Sequence, residues 1–495
     1  MKKFKKALAL MLSMLILLSV SPISVFAEET ETPEAEWFTS YGVKKGEGTL
    51  TEAVQLVTNG GRIDLVKDID ALGTTIVLNK NVTIDGDGYT ITRSEIFDSA
   101  MFIIGNGAKV TLKNVTVNGN ADNFAGYTNS AFIVTDGYLT LEEGTVITKN
   151  NARGYNGAAV RAGSSIAGLS NPCVVTMNEG VEISDCTADN GGAVYLGTGA
   201  QFVMDGGSIK NCAAAYHGGA VTVDDDSAQF TMNGGSITEC TCSINATGYV
   251  GSAVYANKGT TAINAGSITG NTNTSDFGAV YVAATANVSI GGTAYIFDNN
   301  GSTNQSNIFI DDYAVVTVSP AFVEGAKLGV SRSQIMREGD TVDMSFIYST
   351  EDVMGYVFND YDETTFYKAN GVVTLIDCIK VTFDPGNGTC PVGSKIYGVD
   401  LAFGELPACD PRDGFDFLGW YTEDDIQVTA DSVVSYSDDI TLYAKWENLN
   451  KLDDHPFAFI GRFFERIGEL MRSVFEFLEN LFSGTGNDEL EKIEK

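Results

Sequence analysis

Five residues occupy one position of a recurring phrase: Arg161, Tyr195, Thr222, Tyr255 and Tyr281. Each follows an Ala-Val pair, as in GGAVYL from Gly191, GGAVTV from Gly218, GSAVYA from Gly251 and FGAVYV from Phe277. If the valine points inward, the period of a strand turns the next residue outward. The five would then form a row of three phenols, one guanidinium and one hydroxyl. Rings repeated at a coil spacing close to the length of one sugar residue suit a strip on which carbohydrate stacks. They equally suit a ladder that steadies the sheet, worth roughly 0.2–1 kcal/mol per neighbouring pair. The row contains no carboxylate, so it lacks the paired acids on which glycoside hydrolysis depends.

The acidic clusters fall in loops: Asp224, Asp225 and Asp226, then Asp311 and Asp312. Calcium collects about six to eight oxygens, and consecutive aspartates rarely all point at one ion. These runs therefore read as solvated turns, with a weak calcium site at Asp224, Asp225 and Asp226 as the alternative; no other cofactor is expected. The two histidines, His217 and His455, have no nucleophile or carboxylate at recognisable spacing, which leaves a histidine-based hydrolase without support. Eight cysteines, at 173, 186, 212, 240, 242, 378, 390 and 409, include no CxxC pair, so zinc is not indicated.

The elements that must position the row are short and repeated. The Ala-Val pairs at 159, 193, 220, 253 and 279 are 34, 27, 33 and 26 residues apart. Within each coil a second strand places Leu112, Leu141, Met177, Met204, Met232, Ile263 or Ile290 before a turn. A third brings Val117, Ile147, Ile183, Ile209, Ile237, Ile268 or Ile296. Three residues further on stands Asn120, Asn150, Cys186, Cys212, Cys240, Asn271 or Asn299, a ladder in which asparagine can bond backbone groups of adjacent coils and cysteine fills the same site as a small apolar group. A unit that cannot close its own core must stack on its neighbours. Coils of this length with three strands and no helical period predict parallel strands stacked about 4.8 Å apart.

This pattern resembles the right-handed parallel β-helix proteins of the pectate-lyase superfamily, and its GGAV and MNGGSI phrasing is similar to repeats of bacterial surface adhesins. The resemblance covers residues 48 to 376, with LTEAVQLV, GGRIDLVKDI and NVTIDGDGYTI similar to the N-terminal cap of that fold. It implies a fold that hosts polysaccharide lyases and hydrolases, in which Arg153 and Arg161 could be lyase bases by analogy alone. Fold does not fix activity.

From Cys378 the language changes to VTFDPGNG, PRDGFDFLGWYT and DITLYAKW, three phrases that resemble the Listeria-Bacteroides repeat, a small β-grasp-like module of exported bacterial proteins. Phe383, Phe415, Phe417, Trp420, Tyr421, Leu442, Tyr443 and Trp446 supply the aromatic core that so small a domain needs. Cys390 and Cys409 bracket a strand-sized segment and can bridge within the module, although the resemblance does not require it.

The expected class is thus mainly β: a right-handed parallel β-helix solenoid, a small β-grasp-like domain and a C-terminal amphipathic helix. Residues 1–27 read as a signal peptide, with lysines before an apolar run and Val25-Phe26-Ala27 at the cleavage site. Residues 28–47 read as a linker, 48–320 as the β-helix, 321–377 as its irregular closing segment, 378–447 as the module and 448–495 as the helix and polar tail. In that last part apolar residues from Ile460 to Leu481 recur at spacings of three and four.

A net charge of -33 excludes nucleic acid as a partner. The expected protein is secreted or displayed on a bacterial surface and binds a glycan or host-surface ligand without catalysis. A polysaccharide lyase or glycoside hydrolase, and a passive stalk, are the alternatives. The terminal helix would dock on an envelope component or self-associate.

Overall fold

The computed structural model describes residues 32–449 except 124–126, 164–171, 244–249, 275–276, 303–304, 312, 333–346, 349–355, 361–363 and 370–371, together with Ile467, Met471 and Arg472. The expected signal peptide and most of the expected terminal helix lie outside the described residues. The chain divides into two compact units, one made mainly of residues up to Leu375 and one beginning at Ile376.

The first unit is a parallel β-solenoid of about eight turns. Its inward positions stack as the repeat requires. Leu112, Leu141, Met177, Met204, Met232, Ile263 and Ile290 pair coil to coil in one register. Val117, Ile147, Ile183, Ile209, Ile237, Ile268 and Ile296 do the same on the next face. All fourteen are completely buried, and each such side chain stabilises the fold by roughly 1.5–3 kcal/mol through its burial. Phe102 stacks on Phe132 at 4.7 Å and Phe202 on Phe230 at 5.4 Å, rings one coil apart.

The corner beyond the third strand turns through a left-handed residue, as at Lys149, Asp185, Asn211, Glu239 and Asp298, with φ between 51° and 56°. The next residue in each case belongs to the asparagine and cysteine ladder, buried from Asn150 to Asn299. Asn271 shows the asparagine bonding. Its Nδ2 donates to the Ile237 carbonyl at 2.9 Å, and its Oδ1 accepts the Cys240 backbone N–H at 2.9 Å. A short extra sheet, with strands such as Thr187–Asn190, Ala213–His217 and Thr241–Cys242, lies between this corner and the GGAV strand.

The glycines of GGAV are required there. Gly191 and Gly218 have φ of 60° and 63°, where a side chain is strained. A Cβ on Gly192 would strike the carbonyl oxygen of Gly219, and one on Gly219 that of Ser252.

Within the segment 28–47, expected as a linker, the described residues from 32 onward carry structure. Strand Ala35–Phe38 pairs antiparallel with Lys44–Gly48 and with Gly61–Leu65. Helix Leu50–Leu56 follows, held by a capping box in which Thr49 and Glu52 bond each other's backbone N–H, and it buries Leu50, Ala53 and Val54. Glu36 and Glu47 both pair with Lys44, so a short charged segment gains partners as an edge hairpin. At the other end, strands Lys327–Arg332 and Val357–Asn359 continue the parallel pairing inside the segment expected to be irregular.

The second unit is β-rich. Residues 381–384 pair parallel with Ile440–Tyr443, and Cys378–Thr382 pair antiparallel with Ser394–Gly398. Phe415–Tyr421 pairs antiparallel with the strand Ile440–Asn448. Its core gathers Ile379, Val381, Phe383, Tyr397, Phe403, Trp420, Val428, Val434 and Leu442. Trp420 is fully buried, and its indole donates to the Pro407 carbonyl at 2.7 Å.

Candidate functional site

Arg161, Tyr195, Thr222, Tyr255 and Tyr281 lie opposite one another on successive coils in unbroken parallel register. The row runs on to Phe309. Its members are not equally presented. Arg161, Tyr195 and Tyr255 are half-buried, whereas Thr222 and Tyr281 retain 1% and 2% exposure. Tyr281 sits in a side cluster with Ala283 and Phe309, against which Tyr255 and Phe277 pack.

The rings face each other. Tyr255 stacks on Tyr281 at 5.1 Å, and Tyr281 on Phe309 at 5.9 Å. Parallel register at coil spacing has this consequence: neighbouring rings cover each other's faces.

At Thr222 the row lacks a ring, and His217 supplies it. The imidazole stacks on Tyr255 at 4.3 Å with 17° between planes. Thr222 Oγ1 donates to the His217 carbonyl at 2.9 Å, beneath it. Spacing along the sequence did not reveal this, although the single short residue in a row of large ones marks the gap. His217 ends the strand Ala213–His217, so a neighbouring sheet delivers the ring.

The acids also differ from expectation. Asp224 and Asp311 follow directly on strands Val221–Val223 and Ile308–Ile310 and lie two residues beyond the row, sharing its side of the sheet. Tyr195 donates its hydroxyl to Asp224 Oδ2 at 2.9 Å, and Asn257 Nδ2 donates to Oδ1 at 2.7 Å. Tyr281 donates in the same way to Asp311 Oδ2 at 2.6 Å. Each of these phenols thus reaches an acid one coil on. Burial, then the Asp224 charge, pushes the Tyr195 phenol well above its ordinary range. Burial, with Asp224 and Asp311 adding to it, pushes Tyr255 up to about 12.

Asp225 is spent on its own turn. One oxygen accepts from the backbone and hydroxyl of Ser227, the other from Thr198 at 2.9 Å. Burial raises its pKa, but those hydrogen bonds outweigh it and hold the carboxyl below the usual range. Asp226 is exposed. Among the described residues, no group of three or more histidine, cysteine or acidic side chains is gathered around one point.

Asn190, Tyr216, His217, Thr222, Asp224, Tyr255 and Asn257 line a cavity of about 270 Å³ over the Thr222 gap. Asn190 Nδ2 donates to Asn156 at 2.9 Å, while its Oδ1 is buried without a partner. Tyr216 is 42% exposed at the rim. A second concavity of about 360 Å³, containing Tyr127, Asn151, Arg153 and Asp185, lies apart from the row.

A solenoid with a side-chain row of this kind, joined to a separate β-rich unit, defines the class of the chain. Residues 380–445 of that second unit match the model of the Listeria-Bacteroides repeat domain, a module found in bacterial surface proteins. No curated protein and no solved structure matches the chain. Among the described residues, no helix is long and apolar enough to cross a membrane.

Proposed function

We propose that this chain is a secreted, surface-displayed bacterial adhesin whose solenoid binds carbohydrate without catalysis, the cavity over Thr222 being the point of contact. The observation that carries this reading is the cavity's lining: two amides, a carboxylate, an imidazole and two phenol edges around a space the size of one sugar unit. Such groups exchange hydrogen bonds with hydroxyls, while the apolar parts of Tyr216 and His217 cover a sugar's C–H face. The contact is narrower than the five-residue strip expected from the sequence. Thr222 and Tyr281 hold the ladder together, and Tyr195 and Tyr255 offer edges. Arg161, one coil from Tyr195, borders the same face.

The test is a glycan array probed with the full chain. Binding that is lost in Tyr216→Ala and Asn257→Ala, with unchanged circular dichroism, supports the proposal. No binding across a broad array overturns it in favour of a passive stalk. Cleavage of uronate polymers in the presence of calcium overturns it in favour of a lyase.

A further inference from the structure

Eight thiols are distributed over two very different environments. Cys173, Cys186, Cys212, Cys240 and Cys242 are buried in the solenoid, while Cys378, Cys390 and Cys409 are partly accessible in the second unit. Within that unit two chain segments are clipped side by side. The backbone N–H of Asp410 donates to the Thr389 carbonyl at 2.8 Å, and the Thr389 hydroxyl donates to the Asp410 carboxylate at 2.8 Å. One step forward from Thr389 and one step back from Asp410 stand Cys390 and Cys409. Both side chains pack on the same core, and the Cys390 thiol itself donates to the Val392 carbonyl at 3.1 Å. If Cys390 and Cys409 face each other as residues of an antiparallel pair do, their Cα atoms stand about 4.5–5.5 Å apart, inside the window of about 4.4–6.8 Å that a disulfide accepts.

We propose that Cys390 and Cys409 form a disulfide that closes the segment between them into a loop and staples the edge of the module. The loop contains strand Ser394–Gly398, which among the described residues pairs with the strand through Cys378–Thr382 alone, and the core residues Tyr397 and Phe403. An edge strand held on one side is where local opening starts. The bridge removes that route.

The chemistry is thiol–disulfide exchange with a small-molecule disulfide such as oxidised glutathione. One cysteine thiolate attacks a glutathione sulfur and expels glutathione thiolate. The second cysteine thiolate then attacks the mixed disulfide and expels the other, so two protein thiols are oxidised and one glutathione disulfide is reduced to two thiols. Burial, and then the neighbouring Cys390, pushes the Cys409 thiol up to about 11, so the reaction runs faster as pH rises from 7 to 9.

The solenoid thiols are poor competitors. Cys186, Cys212 and Cys240 also neighbour one another along their ladder, but they are fully buried and an oxidant cannot reach them in the folded chain. Cys378 stands opposite Gly398, at the far end of the strand pair.

The test uses the full folded chain, incubated with oxidised glutathione, then denatured and alkylated at once. The expected result is a fall in free thiols from eight by two, with a cross-linked peptide containing Cys390 and Cys409. Cys390→Ser should abolish that peptide, leave the solenoid thiols unchanged and leave Cys409 as a glutathione adduct. Retention of every thiol, or cross-links only between other cysteines, would overturn the proposal.

Discussion

Replacing Tyr195 by phenylalanine removes one oxygen and leaves the ring. That oxygen donates to a carboxylate, Asp224, which keeps only the Asn257 amide as its second partner. Hydrogen bonds to charged groups contribute about 1.5–3 kcal/mol. Tyr195 and Asp224 are both half-buried, so water recovers part of the loss. The expected cost is therefore about 1–2 kcal/mol. Tyr255→Phe is the internal control, because among the described residues the Tyr255 hydroxyl donates to no partner and its ring stacking survives. Its expected cost is within about 0.5 kcal/mol. Urea unfolding at pH 7, followed by circular dichroism, gives the shift in midpoint for both variants. The gap between them should shrink under acid conditions that protonate carboxylates, where the acceptor loses its charge. Equal shifts for the two variants, or a gap that acid leaves untouched, would refute the assignment of the Tyr195 hydroxyl to Asp224.

Three further outcomes follow from buried polar groups. Asp360 accepts the Asn307 backbone N–H at 2.9 Å and its amide at 2.6 Å, yet burial outweighs these bonds and lifts its pKa from 3.8 to about 6. A raised carboxyl pKa means the folded form holds its proton more tightly, so this contribution is fully present below about pH 4 and disappears as pH rises through 6. Asp360→Asn should remove roughly 2–3 kcal/mol of that dependence, read as the change in melting temperature between pH 4 and pH 7.5. Asn271→Leu orphans the Cys240 N–H in the core and removes the amide's bond to the Ile237 carbonyl, and should cost about 1–3 kcal/mol by thermal unfolding. Arg93 is fully buried, and its guanidinium bonds the carbonyls of Phe97, Ser99 and Asn129 and the Asn150 side chain. Arg93→Met should cost a similar amount, read by hydrogen exchange in that coil.

The rungs were legible because burial at strict period two repeats in every coil, so Met177, Met204 and Met232 announce one another. The row from Arg161 to Tyr281 was legible for the same reason, since an outward position inherits the register of its inward neighbours. What a row contains beyond its own residues was not legible. His217 enters it from another sheet, and only three-dimensional stacking puts its ring above Thr222. Asp224 looked like part of a solvated turn because Asp225 and Asp226 follow it, yet its side chain faces Tyr195 on the preceding coil. The hairpin at 35–48 was missed because strands rich in lysine, glutamate and glycine carry little apolar alternation. Arg93 was missed because a charged residue in a strand ordinarily marks the solvent side, and here carbonyls from loops converge on it instead.

The position of the acids bears on what this face can do chemically. Asp224 and Asp311 occupy the same column but are separated by three coil steps, through the coils of Tyr255, Tyr281 and Phe309. At about 4.8 Å per step that is about 14 Å, beyond the separation of about 5–9.5 Å that retaining and inverting glycoside hydrolysis employ. Burial pushes the Tyr195 phenol above its ordinary range and the Tyr255 phenol up to about 12, so both keep their protons at neutral pH. Each acid instead accepts a hydrogen bond from the coil before it, which fixes the tyrosine ladder in place. On this face the acids therefore act as acceptors that join one coil to the next, with Tyr195 bound to Asp224 and Tyr281 to Asp311.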